Sequence, residues 1–271
     1  MIIIYCLGIL VGLVLGLTGA GGGIIAIPVL MYGLNWDLLT AGPVALIAIA
    51  FGAWVGAYYA YQQGMLNFKA GIIMALFGMP ITPLGQLLAR SIPYWILLIL
   101  FIFVIFIVAI RMWMSTISDF ALRNNQNNHS LIEKSSSFLS SFKLSQSKLS
   151  SFSVFIFIGM VSGLMTGLLS VGGGFIIVPL LTQLTKLNIK QASATSLLVI
   201  AIISTVGVIS AEMKGAHFPM PFTIWFTITV IIGLLLGRRI TQHLSDKVIL
   251  RSFSILLILV ALMMLSQYAL K

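Results

Sequence analysis

The chain has 271 residues, 60% of them hydrophobic and 7% charged, with a mean hydropathy of +1.14. A soluble domain carries about a quarter charged residues, so this composition excludes a water-soluble globule and requires a bilayer, where about 20 apolar residues make one helical span. The net charge of +10 would point to nucleic acid in a soluble protein but here fits the positive-inside bias of loops, and the one cysteine, Cys6, excludes an intrachain disulfide or a Cys-based metal site.

Taken in chain order, apolar stretches run at 2–18, 24–34, 41–61, 70–89 and 93–114. The first, "MIIIYCLGILVGLVLG", has no basic n-region and no small-residue cleavage site, so it reads as a retained membrane segment. Residues 115–151 are rich in Ser and Asn and cannot bury enough apolar surface to fold alone. They read as a polar linker, with Phe138, Phe142, Leu149 and Phe152 spaced for at most a short interfacial helix. Five more apolar stretches follow at 152–168, 174–185, 191–211, 221–240 and 248–269. The chain therefore divides into a first membrane repeat (1–114), the linker (115–151) and a second membrane repeat (152–271).

The two halves repeat one another. "GLTGAGGGIIAIPVL" from Gly16 and "GLLSVGGGFIIVPLL" from Gly167 stand 151 residues apart. In the same ungapped register Ala41 matches Ala192, Leu46 matches Leu197, Gly56 matches Gly207 and Gly64 matches Gly215. The glycine clusters are not phosphate loops. Ile24 and Phe175 stand where a Walker lysine or the third glycine of a dinucleotide fingerprint would be needed.

Two kinds of glycine are distinguishable. Gly8, Gly12 and Gly16, like Gly159, Gly163 and Gly167, recur every four residues, as a ridge for close helix packing does. Gly21, Gly22 and Gly23, like Gly172, Gly173 and Gly174, are consecutive and point around the helix in three directions. Each costs about 1 kcal/mol of helix propensity relative to Ala. With Pro28 and Pro179 behind them, they predict a helix that stops, turns and restarts, the prolines serving as helix breaks. A helix start inside the membrane aims unpaired N–H groups and the positive end of its dipole into a cavity, which makes an anion site of backbone. Gly19 and the six consecutive glycines are the candidate substrate contacts.

Charge placement favours this architecture. If each glycine segment is a re-entrant hairpin followed by three spans, twelve of the fifteen Lys and Arg fall on one face, and Arg90, Lys214 and Lys271 on the other. Eight plain spans, four in each half, would divide them almost evenly. The expected fold is thus an all-α polytopic membrane protein of two inverted repeats, with extracytoplasmic termini and a cytoplasmic linker.

These motifs, with "QASATSLLVIAIISTVGVIS" after the second cluster, resemble the TauE/SafE family over almost the whole chain. The resemblance implies a polytopic inner-membrane transporter that exports sulfite or a related sulfur-containing anion; the spans offer no catalytic acid, metal cluster or nucleophile–base pair, so neither an enzyme nor a cofactor is expected. An anion channel and a carrier of a non-sulfur organic anion are the alternatives. Members often carry a hydroxylated Ala-Thr-Ser element after each cluster. The second half keeps it as Ala194, Thr195 and Ser196, whereas the first has Pro43, Val44 and Ala45.

Among the polar residues, Thr18 and Ser170 flank the glycines and either donate to an anion or cap a helix. Thr195 and Ser196, beside Ser193, carry the same two alternatives. Gln86 reads as an inter-helix hydrogen bond or a cavity residue, and Arg238 and Arg239 as headgroup anchors, with attraction of substrate at the cytoplasmic mouth as the alternative. The five acids, Asp37, Asp119, Glu133, Glu212 and Asp246, all fall in loops or at span ends, which weighs against a cation carrier. Trp36, Trp95, Trp113 and Trp225 mark the interfaces. The expected partners are a small anion and the lipid bilayer, with no metal and no nucleic acid.

Overall fold

The apolar stretches fold as helices in chain order, because backbone in a bilayer must satisfy its own hydrogen bonds. The computed structural model describes residues 2–19, 22–34, 36, 38–93, 95–97, 99–110, 151–185, 187–216, 218–244 and 246–269, and contains no strand among them. In the first half, α1 (Ile2–Thr18), α2 (Gly22–Leu34), α3 (Leu38–Gln62), α4 (Phe68–Gly78), α5 (Ile81–Ser91) and α6 (Trp95–Ile110) follow one another. In the second, α7 (Ser151–Leu169), α8 (Gly174–Leu184), α9 (Ile189–Met213), α10 (Met220–His243) and α11 (Asp246–Ala269) do so. Gly21, Asp37, Trp113, Asp119, Glu133, His217 and all but the last residue of the linker lie outside the described residues.

Four helices, α3, α7, α9 and α10, are long and apolar enough to cross a membrane, and α4 with α5 makes a fifth as a bent pair. The chain is a multi-pass membrane protein. Its surface agrees: Ile224, Ile228, Ile232, Leu235 and Leu236 of α10 are all exposed, as are Phe103 and Phe106 of α6. Such a belt suits lipid rather than water. The helices α2 and α8 have 13 and 11 residues, roughly 20 and 17 Å at 1.5 Å per residue, short of the roughly 30 Å hydrocarbon core. Most of their residues are buried inside the protein.

Two expectations about breaks are corrected. Residues 70–89 were expected as one span, but the helix bends by 42° between α4 and α5, where Pro80 supplies no N–H to continue the ladder. Conversely, Pro28 and Pro179 are not helix breaks, since α2 and α8 run straight through them. Each proline sits early in its helix, at its sixth or seventh residue. The loss is one backbone bond, to the carbonyl four residues before, and the turns on either side still close.

The structure extends the repeat. The offset of 151 holds at both ends of α3 and α9, from Leu38 to Ile189 and from Gln62 to Met213. Beyond them it becomes 152, from Phe68 to Met220 and from Ser91 to His243. The extra residue lies in the turn after Gly215.

Packing is exchanged between the halves. A Cβ at Gly8, Gly12 or Gly16 of α1 would strike Thr229, the Val230 carbonyl or the Leu234 carbonyl of α10. A Cβ at Gly159, Gly163 or Gly167 of α7 would strike Met74, Gly78 or Thr82. Each ladder thus packs backbone against backbone on the other half, in parallel, as its spacing predicts. At the centre α3 and α9 cross antiparallel, with Gly56 against Leu197 and Gly207 against Leu46. Trp54 Nε1 donates to Thr205 Oγ1 at 3.1 Å, and these two residues are themselves equivalent at the 151-residue offset.

Candidate functional site: two facing glycine turns

At the end of α1 the chain turns through Gly19, with φ of +66°, and re-enters helix at Gly22. At the end of α7, Ser170, Gly172 and Gly173 take φ of +54°, +80° and +57° before α8 begins at Gly174. L-residues pay for this left-handed region whereas glycine does not, and that is why the turn falls here. Gly173 is the residue that precedes α8, and it lies against the Ser162 carbonyl and the Ser162 and Thr166 hydroxyls, leaving no room for a Cβ.

The two turns meet. A Cβ on Gly23 would fall on the Val171 carbonyl, and Ile49 of α3 reaches both Gly23 and Gly172. Each turn also presses on the long helix of the other half. Gly19 lies against Ser193 of α9, and Ser170 lies against Gly42 of α3, whose Cβ would meet Ser170 Oγ at 3.1 Å. Gly19 is equivalent to Ser170 and Gly42 to Ser193. Both contacts are therefore one Gly–Ser pair, with the glycine on opposite partners.

The predicted hydroxyls divide. Thr18 Oγ1 donates to the Val14 carbonyl at 2.8 Å, one turn back in its own helix. Thr195 Oγ1 accepts from the Asn67 N–H at 3.2 Å and so helps hold the start of α4. Ser196 Oγ is 2.7 Å from the Gly19 carbonyl and 2.8 Å from the Ser193 carbonyl, tying the first turn to α9. Ser170 is half-buried at the second turn. Gly19, Gly22, Gly23, Gly172, Gly173 and Gly174 make up the turns and the helix starts, whereas Gly21 is outside the described residues.

Three further hydroxyls stand at these turns, of which Ser193 alone was a candidate from its place at the start of the span. Ser162, Ser193 and Ser204 are all buried, and none of their Oγ atoms has a hydrogen-bond partner among the described residues. Ser193 sits at Gly19, Ser162 at Gly173 and Ser204 at Gly172. Leaving a buried hydroxyl unpaired costs about 1–3 kcal/mol, so three around one pair of turns mark these turns as the candidate site. Ser162 shares the glycine ladder of α7 and Ser204 interrupts an apolar span, and these were the available signals.

Further out, Gln86 makes the inter-helix bond expected of it, with Nε2 donating to the Gly207 carbonyl at 2.9 Å. Lys214 Nζ donates to Gln86 Oε1 at 3.3 Å and to the Pro83 carbonyl at 3.0 Å, while Arg90 Nη2 donates to the Lys214 carbonyl at 3.0 Å. Burial, and then the Arg90 charge, hold the Lys214 ammonium below the usual lysine range. At the other end Arg239 is exposed, but Arg238 is 5% exposed. Arg238 is therefore not a headgroup anchor. Protein encloses it, because it lies on the face of α10 that packs on α1 and α3.

The sequence has recognisable relatives. The sequence profile described as "Sulfite exporter TauE/SafE" matches residues 4–264. The chain is 28% identical over 244 residues to the "Probable membrane transporter protein YdhB" of Bacillus subtilis (strain 168), covering 90% of this chain and 91% of that protein. It is 27% identical over 266 residues to a "Probable membrane transporter protein" of Xylella fastidiosa (strain Temecula1), covering 94% and 91%. It is 26% identical over 259 residues to the "Probable membrane transporter protein MJ0441" of Methanocaldococcus jannaschii, covering 90% and 88%. No solved structure is significantly similar to it. The chain belongs to the TauE/SafE sulfite exporter family of membrane transporters.

Proposed function

We propose that this protein is a secondary transporter that moves a small sulfur-containing anion, sulfite or a sulfonate, across the inner membrane. In this reading residues 1–114 and 152–271 are inverted repeats joined by the cytoplasmic linker 115–151, and the termini face outward. Each repeat opens with a glycine-broken, re-entrant hairpin: α1 with α2, and α7 with α8. The antiparallel crossing of α3 with α9 and the exchanged ladder packing support the inversion. The anion binds between the turns, held by the first N–H groups of α2 and α8 and by the Ser162, Ser193 and Ser204 hydroxyls. Thr18, Thr195 and Ser196 shape the site through the bonds they already make.

The observation that carries this reading is the meeting of two helix starts, flanked by three buried hydroxyls without partners. Helix starts favour anions, and glycine lets a ligand approach the backbone. Rocking one repeat against the other exposes the site alternately. An inside-negative potential drives an anion outward by about 2.3 kcal/mol per charge per 100 mV.

The test is flux in proteoliposomes. Uptake of radiolabelled sulfite is expected to saturate and to accelerate when the lumen is preloaded with unlabelled sulfite. Uptake linear in concentration and unaffected by preloading would instead make the protein an anion channel.

A further inference from the structure

The pseudo-symmetry that pairs the halves also pairs Gln86 with Arg238, which are 152 residues apart, the offset that relates α4 and α5 to α10. Their settings correspond in one hydrogen bond and in one backbone approach. Gln86 Nε2 donates to the Gly207 carbonyl at 2.9 Å, and Arg238 Nη2 donates to the carbonyl of the equivalent Gly56 at 3.3 Å. The backbone nitrogens correspond too. A Cβ on Gly167 would lie 2.9 Å from the Gln86 nitrogen, and one on Gly16 would lie 2.9 Å from the Arg238 nitrogen. Gly167 and Gly16 are the last rungs before the two glycine turns. One half thus sets a neutral amide beside its turn, and the other sets a guanidinium.

The two side chains are not equally satisfied. The Gln86 carbonyl oxygen receives Lys214 Nζ, so both ends of the amide are engaged. Arg238 is 5% exposed, and its Nε–H has no partner among the described residues. A buried charge is normally paired, and a guanidinium presents a fork of N–H donors matched to two oxygens of an oxyanion. The Arg238 backbone lies beside Gly16, near the end of α1, and its guanidinium reaches across to the Gly56 carbonyl of α3.

We propose that Arg238 is the fixed cation of the anion site, its Nε–H and a terminal N–H gripping two oxygens of the substrate, while Gln86 is its uncharged counterpart in the other half. The site is therefore asymmetric in charge although its backbone is nearly symmetric. This assignment rests on the anion-transporter reading.

The test measures sulfite affinity by titration calorimetry on the purified full chain at fixed ionic strength. R238Q keeps a donor for the Gly56 carbonyl, as Gln86 does for Gly207, and is expected to weaken sulfite binding about 10- to 100-fold. R238K keeps the charge without the fork and is expected to fall between R238Q and the unaltered protein. R239Q, on the exposed neighbour, is expected to bind within about twofold of the unaltered protein. If R238Q does not fold, R238K decides alone: unchanged affinity overturns the assignment. R238Q that binds sulfite as the unaltered protein does also overturns it and leaves the transporter reading standing. An unaltered protein that binds no sulfur oxyanion overturns both.

Discussion

Alanine at Gly163 is expected to destabilise the protein by about 2 kcal/mol, although alanine is the better helix former by about 1 kcal/mol. The Cβ would press on the backbone of Gly78, with the Gly78 Cα at 2.8 Å, and backbone cannot rotate aside as a side chain can. The helices α7 and α4 would have to separate. That separation would also stretch the bond from Thr82 Oγ1 to the Gly163 carbonyl, already 3.3 Å. Gly207→Ala is the control. Its Cβ would meet only the side chains of Thr82, Leu46 and Gln86, at 3.5–3.7 Å, so the helix-propensity gain should survive. Detergent-solubilised melting curves should separate the two variants by several degrees in opposite directions. Equal, small effects would show that the ladder is not a close backbone contact.

The second large effect is expected at Gly173. Alanine there meets two separate costs, the left-handed φ of +57°, worth about 1–2 kcal/mol for an L-residue, and a collision with the Ser162 carbonyl and Thr166 hydroxyl. Gly172→Ala carries the first cost, with φ of +80°, but its nearest neighbours are side-chain atoms at 3.1 Å and beyond. The order of stability should be unaltered protein, then Gly172→Ala, then Gly173→Ala, the last at least about 2 kcal/mol below the first. Chemical denaturation in mixed micelles measures this order. A Gly173→Ala variant as stable as the unaltered chain would mean that the turn after α7 does not need the left-handed conformation.

Much of this was legible in the sequence because it is periodic. Glycines every four residues can line only one helical face, and the close packing of α1 on α10 and α7 on α5 follows from that spacing. The 151-residue offset likewise fixed equivalent helices before any coordinates. It could not show the extra residue after Gly215, since low-information apolar sequence aligns almost as well with the gap as without it. That slip hid the equivalence of Gln86 and Arg238. The burial of Arg238 is hidden for a second reason. Two arginines at a span end look like loop charges, and only packing shows that one of them turns inward. Pro28 and Pro179 look like helix breaks in sequence but lie inside α2 and α8. The free hydroxyls of Ser162 and Ser204 were out of reach, because whether a hydroxyl is satisfied depends on neighbours far along the chain.

The most direct measurement of the central claim is ligand-dependent thermal stability of the purified protein at matched ionic strength. The panel holds sulfite, thiosulfate, small sulfonates, sulfate, carboxylates and chloride. A specific ligand should stabilise the fold by about 2.7 kcal/mol at a hundredfold excess over its Kd. The account predicts such a shift from a sulfur oxyanion, lost in the Ser162→Ala, Ser204→Ala double variant. Without ligand that variant should be at least as stable as the unaltered chain, since two unsatisfied hydroxyls are gone. A panel in which every anion acts as chloride does, or a shift that survives in the double variant, would contradict binding at the glycine turns.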